Sequence, residues 1–209
     1  MEIKMDDALV LTYAELEFLL RSQEPGPVDV CGQLELGPAE ELDAAARAGV
    51  SSLLARGLCA LGGEGGSDVT PTPEVSAVIA GLTTATEATR ALGWVQGRPV
   101  LVHLLYGPVA RLVLMPAQYG QYTVMALDPE LTVADQLSRF VDSCLGEAAE
   151  SAVVIQSRTA EMTVGIAVAR DGAGAWFVSD SVGDPDSAMP VTRDGVLGRI
   201  GELLPIGAR

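Results

Sequence analysis

The chain has 209 residues, of which 48% are hydrophobic and 4% aromatic, and its net charge is -15. That hydrophobic share excludes a disordered chain, and the length suits a single domain, 1–209, around one core of Val, Leu, Ala and Met. The acidity repels phosphate backbones and anionic membranes, so neither nucleic acid nor membrane is expected as a partner.

Thr12 has Glu15 three residues on, with Leu11 and Leu16 at the flanks. A hydroxyl at the N-cap and a carboxylate at N3 make a reciprocal capping box. A helix is therefore predicted after Thr12, with Leu16, Leu19 and Leu20 on one face. It fades before Pro25-Gly26-Pro27. Residues 28–36 alternate loosely and are expected to form a short strand. A second helix is predicted from near Pro38, with Glu40 and Glu41 in its first turn, where they suit the macrodipole. Its apolar stripe is Leu42, Ala46, Gly49, Val50, Leu53 and Leu54, and Arg56-Gly57-Leu58 reads as a glycine C-cap. Residues 61–69 carry four glycines and are expected to be a flexible loop. A third helix follows, capped by Thr72, with Pro73 at its first position and Val75, Val78, Ile79 and Leu82 along one side.

From about residue 87 the texture changes to strands. The runs 88–95, 98–105, 109–115 and 120–126 are separated by Gln96-Gly97, Gly107-Pro108 and Pro116–Gly120. Connections this short predict an antiparallel meander. After the turn Asp128-Pro129-Glu130, Thr132 and Asp135 repeat the capping box. They open a helix with Val133, Leu137, Phe140, Val141 and Cys144 at helical spacing. Strands are predicted at 152–157, 161–169 and 174–179, with Asp171-Gly172 as a hairpin turn and 180–190 as a loop. A last helix starts at Thr192, buries Val196, Leu197, Ile200, Leu203 and Leu204, and stops at Pro205. The fold class is thus α+β, an antiparallel sheet of meander hairpins flanked by helices. Leu11–Leu16 and Leu131–Leu137 open helices by the same chemistry. This echo suggests pseudo-symmetric halves, 1–127 and 128–209, sharing the sheet.

The search for chemistry yields little. His103, the one histidine, sits in the apolar run Val100–Leu105 with no nucleophile or carboxylate beside it, and is expected to be structural. Cys31, Cys59 and Cys144 are widely spaced and form no CxxC pair, which argues against disulfides or zinc. Asp180, Asp184 and Asp186 do not follow the spacing of a calcium loop. The glycines of 61–69 are followed by no GK[ST]. No catalytic residue, metal site or cofactor is therefore expected, and an enzyme would have to draw scattered carboxylates together. A winged-helix regulator is the other alternative. It needs Arg, Lys, Asn or Gln on its recognition helix, and 73–82 has none. The opening residues 1–7 have no basic start followed by an apolar run, and no apolar run approaches membrane-spanning length. A cytoplasmic protein is expected.

What remains is protein binding. Pro116, Gln118, Tyr119 and Tyr122 cluster at one hairpin tip, and Tyr106 lies at the neighbouring turn. Exposed tyrosines suit interfaces, so these five residues are the candidate contact surface. An exposed edge of the meander would also invite a homodimer.

The order of elements resembles the EspG family. The residues that carry this are the capped Leu11-Thr12-Tyr13-Ala14-Glu15-Leu16 helix, Leu53 to Leu58 with its Arg-Gly-Leu ending, and Pro73-Glu74-Val75 opening a helix before a meander. The resemblance covers roughly the first 145 residues. Members are cytosolic chaperones of actinobacterial type VII (ESX) secretion, built of two pseudo-symmetric halves on one antiparallel sheet. The resemblance implies a non-catalytic chaperone or adaptor that binds an amphipathic helical secretion substrate of the PE and PPE kind. The absence of Asn and the single lysine, Lys4, fit a GC-rich genome of that sort. The chain is shorter than is usual for the family, and none of the family's binding residues maps onto a position here.

Overall fold

Thr12 ends one element and starts the next. Strand β1 (Leu9–Thr12) runs into helix α1 (Tyr13–Arg21) with Thr12 as the N-cap. Its hydroxyl accepts the Glu15 N–H at 3.2 Å, and the Glu15 carboxylate accepts the Thr12 N–H at 2.7 Å. The predicted capping box is present. The computed structural model describes residues 8–36, 42–63, 68–95, 97–128, 130–146, 151–180 and 187–203. The expected helix start at Pro38, Glu40 and Glu41, the turn residues Gln96 and Pro129, the acids Asp184 and Asp186, and the stop at Leu204 and Pro205 lie outside them.

Residues 28–36 do not form the expected strand. Asp29 accepts the Gly32 N–H at 2.9 Å and caps a helical turn, α2 (Val30–Gln33). Val30 and Leu34 are both buried, which is helical spacing and not alternation. Helix α3 (Leu42–Ala55) ends as the Arg-Gly-Leu motif predicts. Gly57 has φ +68°, its N–H donates to Leu54 O, and the Leu58 N–H donates to Leu53 O. This is a Schellman ending. Earlier in α3, a Cβ on Gly49 would lie 2.0 Å from the Ala14 carbonyl oxygen, so only glycine lets α1 and α3 cross this closely.

At both ends of the stretch 61–69 the chain is in strands and not in the expected loop. Strands β2 (Cys59–Gly62) and β3 (Asp68–Pro71) pair antiparallel, with Leu61 opposite Val69. Buried Cys59 and half-buried Val69 anchor it to the core, and residues 64–67 lie outside the described residues. Helix α4 (Pro73–Thr83) has Thr72 as its cap and Pro73 in its first turn, as predicted.

The meander follows as β4 (Glu87–Val95), β5 (Arg98–Tyr106), β6 (Arg111–Pro116) and β7 (Gln121–Ala126). The second capping box opens α5 (Val133–Leu145), with Val133, Leu137, Val141 and Cys144 buried. Then come β8 (Ser151–Thr159), β9 (Thr163–Arg170) and β10 (Trp176–Ser179). The β9–β10 turn spans five residues, wider than the expected Asp-Gly hairpin. Asp171 Oδ1 accepts the Ala173 and Ala175 N–H groups, and Gly174 takes φ +87°. Strand β11 (Met189–Val191) stands where a loop was expected, and α6 (Arg193–Leu203) closes the described chain. The fold is α+β, and its strands follow the antiparallel order β1-β7-β6-β5-β4-β8-β9-β10-β11.

The chain divides into two compact units. Of the described residues, one unit gathers those up to Ala88 with Leu104–Leu127, and the other gathers Thr89–His103 with those from Asp128 on. The first unit packs Leu11, Leu16, Leu19, Leu53, Val75 and Leu82 against Leu105, Leu112, Leu114 and Val124. In the second, α5 and α6 lie against β8, β9 and β10. Arg193 forks onto Asp142 at 2.9 and 2.6 Å, and Arg170 donates to the Leu145 and Gly146 carbonyls at the C-terminus of α5.

Glu15 does more than cap. It is fully buried, and its oxygens accept the Ser52 hydroxyl at 2.7 Å and Arg56 Nη1 at 2.9 and 2.8 Å. Arg56 Nη2 continues to the Val10 carbonyl at 2.8 Å. One carboxylate thus ties β1, α1 and α3. Burial pushes its pKa up, but the Thr12 N–H, Ser52 and Arg56 outweigh it, and the net shift is downward. Breaking one side of such a buried pair costs about 3 kcal/mol, so Glu15→Ala is expected to lose about that much in urea melts at pH 7. Arg56→Ala should cost about 1 kcal/mol, because its side chain is 40% exposed and Glu15 keeps two other donors. A depressed pKa stabilises fully above the ordinary glutamate value, about 4.3, and the gain disappears as pH falls through the lower folded value. Wild type and Glu15→Gln should therefore converge in strong acid, and an equal gap at every pH would contradict the arrangement.

Candidate protein-binding surface

The tip between β6 and β7 is built around two left-handed residues. Pro116 pairs with Tyr122 across the strands, and Ala117 N–H donates to Gln121 O at 2.7 Å to close the loop. Gln118, Tyr119 and Gly120 form a single 3-10 turn, in which Tyr119 takes φ +61° and Gly120 φ +67°. A Cβ makes that region unfavourable for tyrosine by about 1–2 kcal/mol. The strained backbone holds the Tyr119 ring out, and the residue is 94% exposed. Pro116 and Gln118 are exposed beside it.

Tyr122 behaves differently. Its ring is half-buried against the core of the first unit, and its hydroxyl lies 3.5 Å from the Leu34 carbonyl. Burial raises its pKa first, with Tyr13 and Glu35 adding to the shift. Tyr13 is thus a third ring at this site, although its sequence neighbours give no sign of it. Pairing of Thr12 with Gln121 sets the start of α1 beside the tip, and a Cβ on Gly120 would lie 3.8 Å from Tyr13 Cβ. A strand assigned to 9–12 would have revealed Tyr13.

Tyr106 is not part of this surface. It is the last residue of β5, is 4% exposed, and its hydroxyl has no hydrogen-bond partner. Burial raises its pKa, Glu87 adds to the rise, and Arg111 partly offsets it. Closeness to the Gly107-Pro108 turn does not expose a ring that the strand still directs inward.

His103 and the three cysteines lie elsewhere. His103 is 2% exposed. Burial lifts the Cys144 thiol to about 11 against a hydrogen bond with the Trp94 backbone. Burial likewise raises Cys59, aided by Glu15, and Cys31, aided by Glu17 and Asp29. Raised thiols are poor nucleophiles at neutral pH. Among the described residues, no group of three or more His, Cys, Asp or Glu is placed to hold a metal ion. An open groove of about 660 Å³ lies over Leu20, Val28, Val30 and Leu82, with exposed Cys31 on its lining. No described helix is long and apolar enough to cross a membrane.

This α+β order and strand pairing have a counterpart among solved structures. The fold is shared with EspG5. That protein is the type VII secretion system chaperone of Mycobacterium tuberculosis, solved in complex with a PE25-PPE41 dimer. The likeness has a TM-score of 0.60 at 10% identity and covers 94% of this chain and 95% of the EspG5 chain. The sequence itself matches no protein-family model and no curated protein. Resemblance to the EspG pattern was expected over the first 145 residues only, whereas the fold of EspG5 is followed almost end to end. The chain is therefore not missing a large block of that fold.

Two substitutions separate the exposed ring from the buried one. Tyr119→Gly should hold or raise the melting temperature, because glycine accepts a positive φ without strain. Tyr106→Ala should cost about 3–4 kcal/mol, as for other large buried rings. A marked loss with Tyr119→Gly would mean that its ring packs on the protein.

Proposed function

We propose that the chain is a non-catalytic cytosolic chaperone or adaptor of type VII secretion, which holds an amphipathic helical protein partner. The observation that carries this reading is the end-to-end likeness of its fold to a secretion chaperone. The exposed tip with Pro116, Gln118 and Tyr119, backed by Tyr13 and Tyr122, is the contact surface of this proposal. Its aromatic faces bury area at low entropic cost, and its hydroxyl and amide groups suit a polar rim. The buried histidine and the raised thiols support a binding role over catalysis.

The reading is tested by purifying the tagged chain from its native host and identifying bound proteins by mass spectrometry. A helical secretion substrate is expected. Tyr119→Ala should lower its recovery at least several-fold while leaving the melting temperature nearly unchanged. Recovery of no protein partner under mild conditions, or undiminished recovery with Tyr119→Ala, would count against the proposal.

A further inference from the structure

Helices α1 and α4 both end at the groove that Cys31 lines. Leu20 and Arg21 close α1, Leu82 and Thr83 close α4, and all four lie on its lining. Leu20, Val28, Val30 and Leu82 make the floor apolar. The volume, about 660 Å³, is in the range that small organic ligands fill. The wall at Pro25-Gly26-Pro27 is fixed in place. A Cβ on Gly26 would lie 2.3 Å from the Thr83 carbonyl oxygen, so this wall sits directly on the end of α4.

The charge at the groove has one dominant sign. A helix C-terminus carries the negative end of its dipole, and two of them meet here. Glu24 and Asp29 are on the lining, and Arg21 is the one base there. Its Nε already donates to Glu17 Oε2 at 3.0 Å. Glu17 lies one turn before Arg21 and is 1% exposed, and its other oxygen, Oε1, is buried with no hydrogen-bond partner. Arg21 bonds the Glu17 carboxylate and Cys31 feels its charge, and both residues line the groove. The unpartnered oxygen therefore lies directly behind that wall.

The Cys31 thiol reports the local field. Burial raises its pKa first, Glu17 and Asp29 raise it further, and Arg21 opposes them with a smaller effect. A buried carboxylate oxygen without a donor carries a cost that an N–H group would relieve. The same field repels an anion, and a second copy of the chain would bring the same acids to it.

We infer that this groove binds a small organic cation, its apolar body on Leu20, Val28, Val30 and Leu82 and its ammonium head beside Cys31, donating toward Glu17. The site shares no residue with the tyrosine tip and does not depend on the role given to that tip.

Ligand-observed NMR tests it with hexylammonium and hexanoate, which share an apolar body and differ in charge. Hexylammonium should bind about tenfold tighter, with the gap narrowing in salt. Cys31 is exposed while Cys59 and Cys144 are buried, so N-ethylmaleimide on the folded chain blocks this groove selectively. After the block, hexylammonium binding should fall at least several-fold. Glu17→Gln, which removes the charge at nearly constant shape, should narrow the gap between the two probes. Equal binding of the probes, tighter binding of hexanoate, or hexylammonium binding that survives the block would overturn the inference with no substituted chain. An unchanged gap in a folded Glu17→Gln chain would overturn it as well.

Discussion

The Glu15 carboxylate sits out of water with the Thr12 N–H, the Ser52 hydroxyl and the Arg56 guanidinium upon it. An ionised carboxylate in an apolar interior costs several kcal/mol unless it is matched in this way. Matching it requires β1, α1 and α3 to be in place together. Once β1 is placed, it pairs with β7 through Leu11–Tyr122 and Thr12–Gln121, which brings Tyr13 to the tip that carries Tyr119. The same guanidinium takes up the Val10 carbonyl on the terminal strand, and Pro190 interrupts the strand at the other end of the order. Both devices blunt an edge against further pairing.

What could be read from the sequence was local. Two capping boxes, a proline-led helix and an Arg-Gly-Leu ending each depend on residues within one turn, and each is in place. The meander was legible because its connections are short. The misses are elements whose existence depends on a distant partner. Strand β1 is four residues long and has meaning only beside β7, and β11 is three residues long and leans on β10. The turn at Val30–Gln33 was misread because Val28 and Val30 mimic alternation, while the spacing of Val30 and Leu34 decides the matter. Cys59 and Val69, on β2 and β3, are held by the core, and that packing is what a local reading of the glycines could not supply.

The site was legible in part, for the same reason. Tyr119 could be placed at a turn by its neighbours Pro116 and Gly120, and a turn residue with a left-handed backbone is held outward. Tyr106 and Tyr122 could not be placed, because burial is decided by what crosses the strand.

Hydrogen exchange on the chain, alone and with its co-purified partner, tests the central claim of a tyrosine-tipped binding surface most directly. The account predicts slowed exchange in peptides spanning 117–122 when the partner is bound. Exchange there that stays unchanged while the partner remains bound would contradict it.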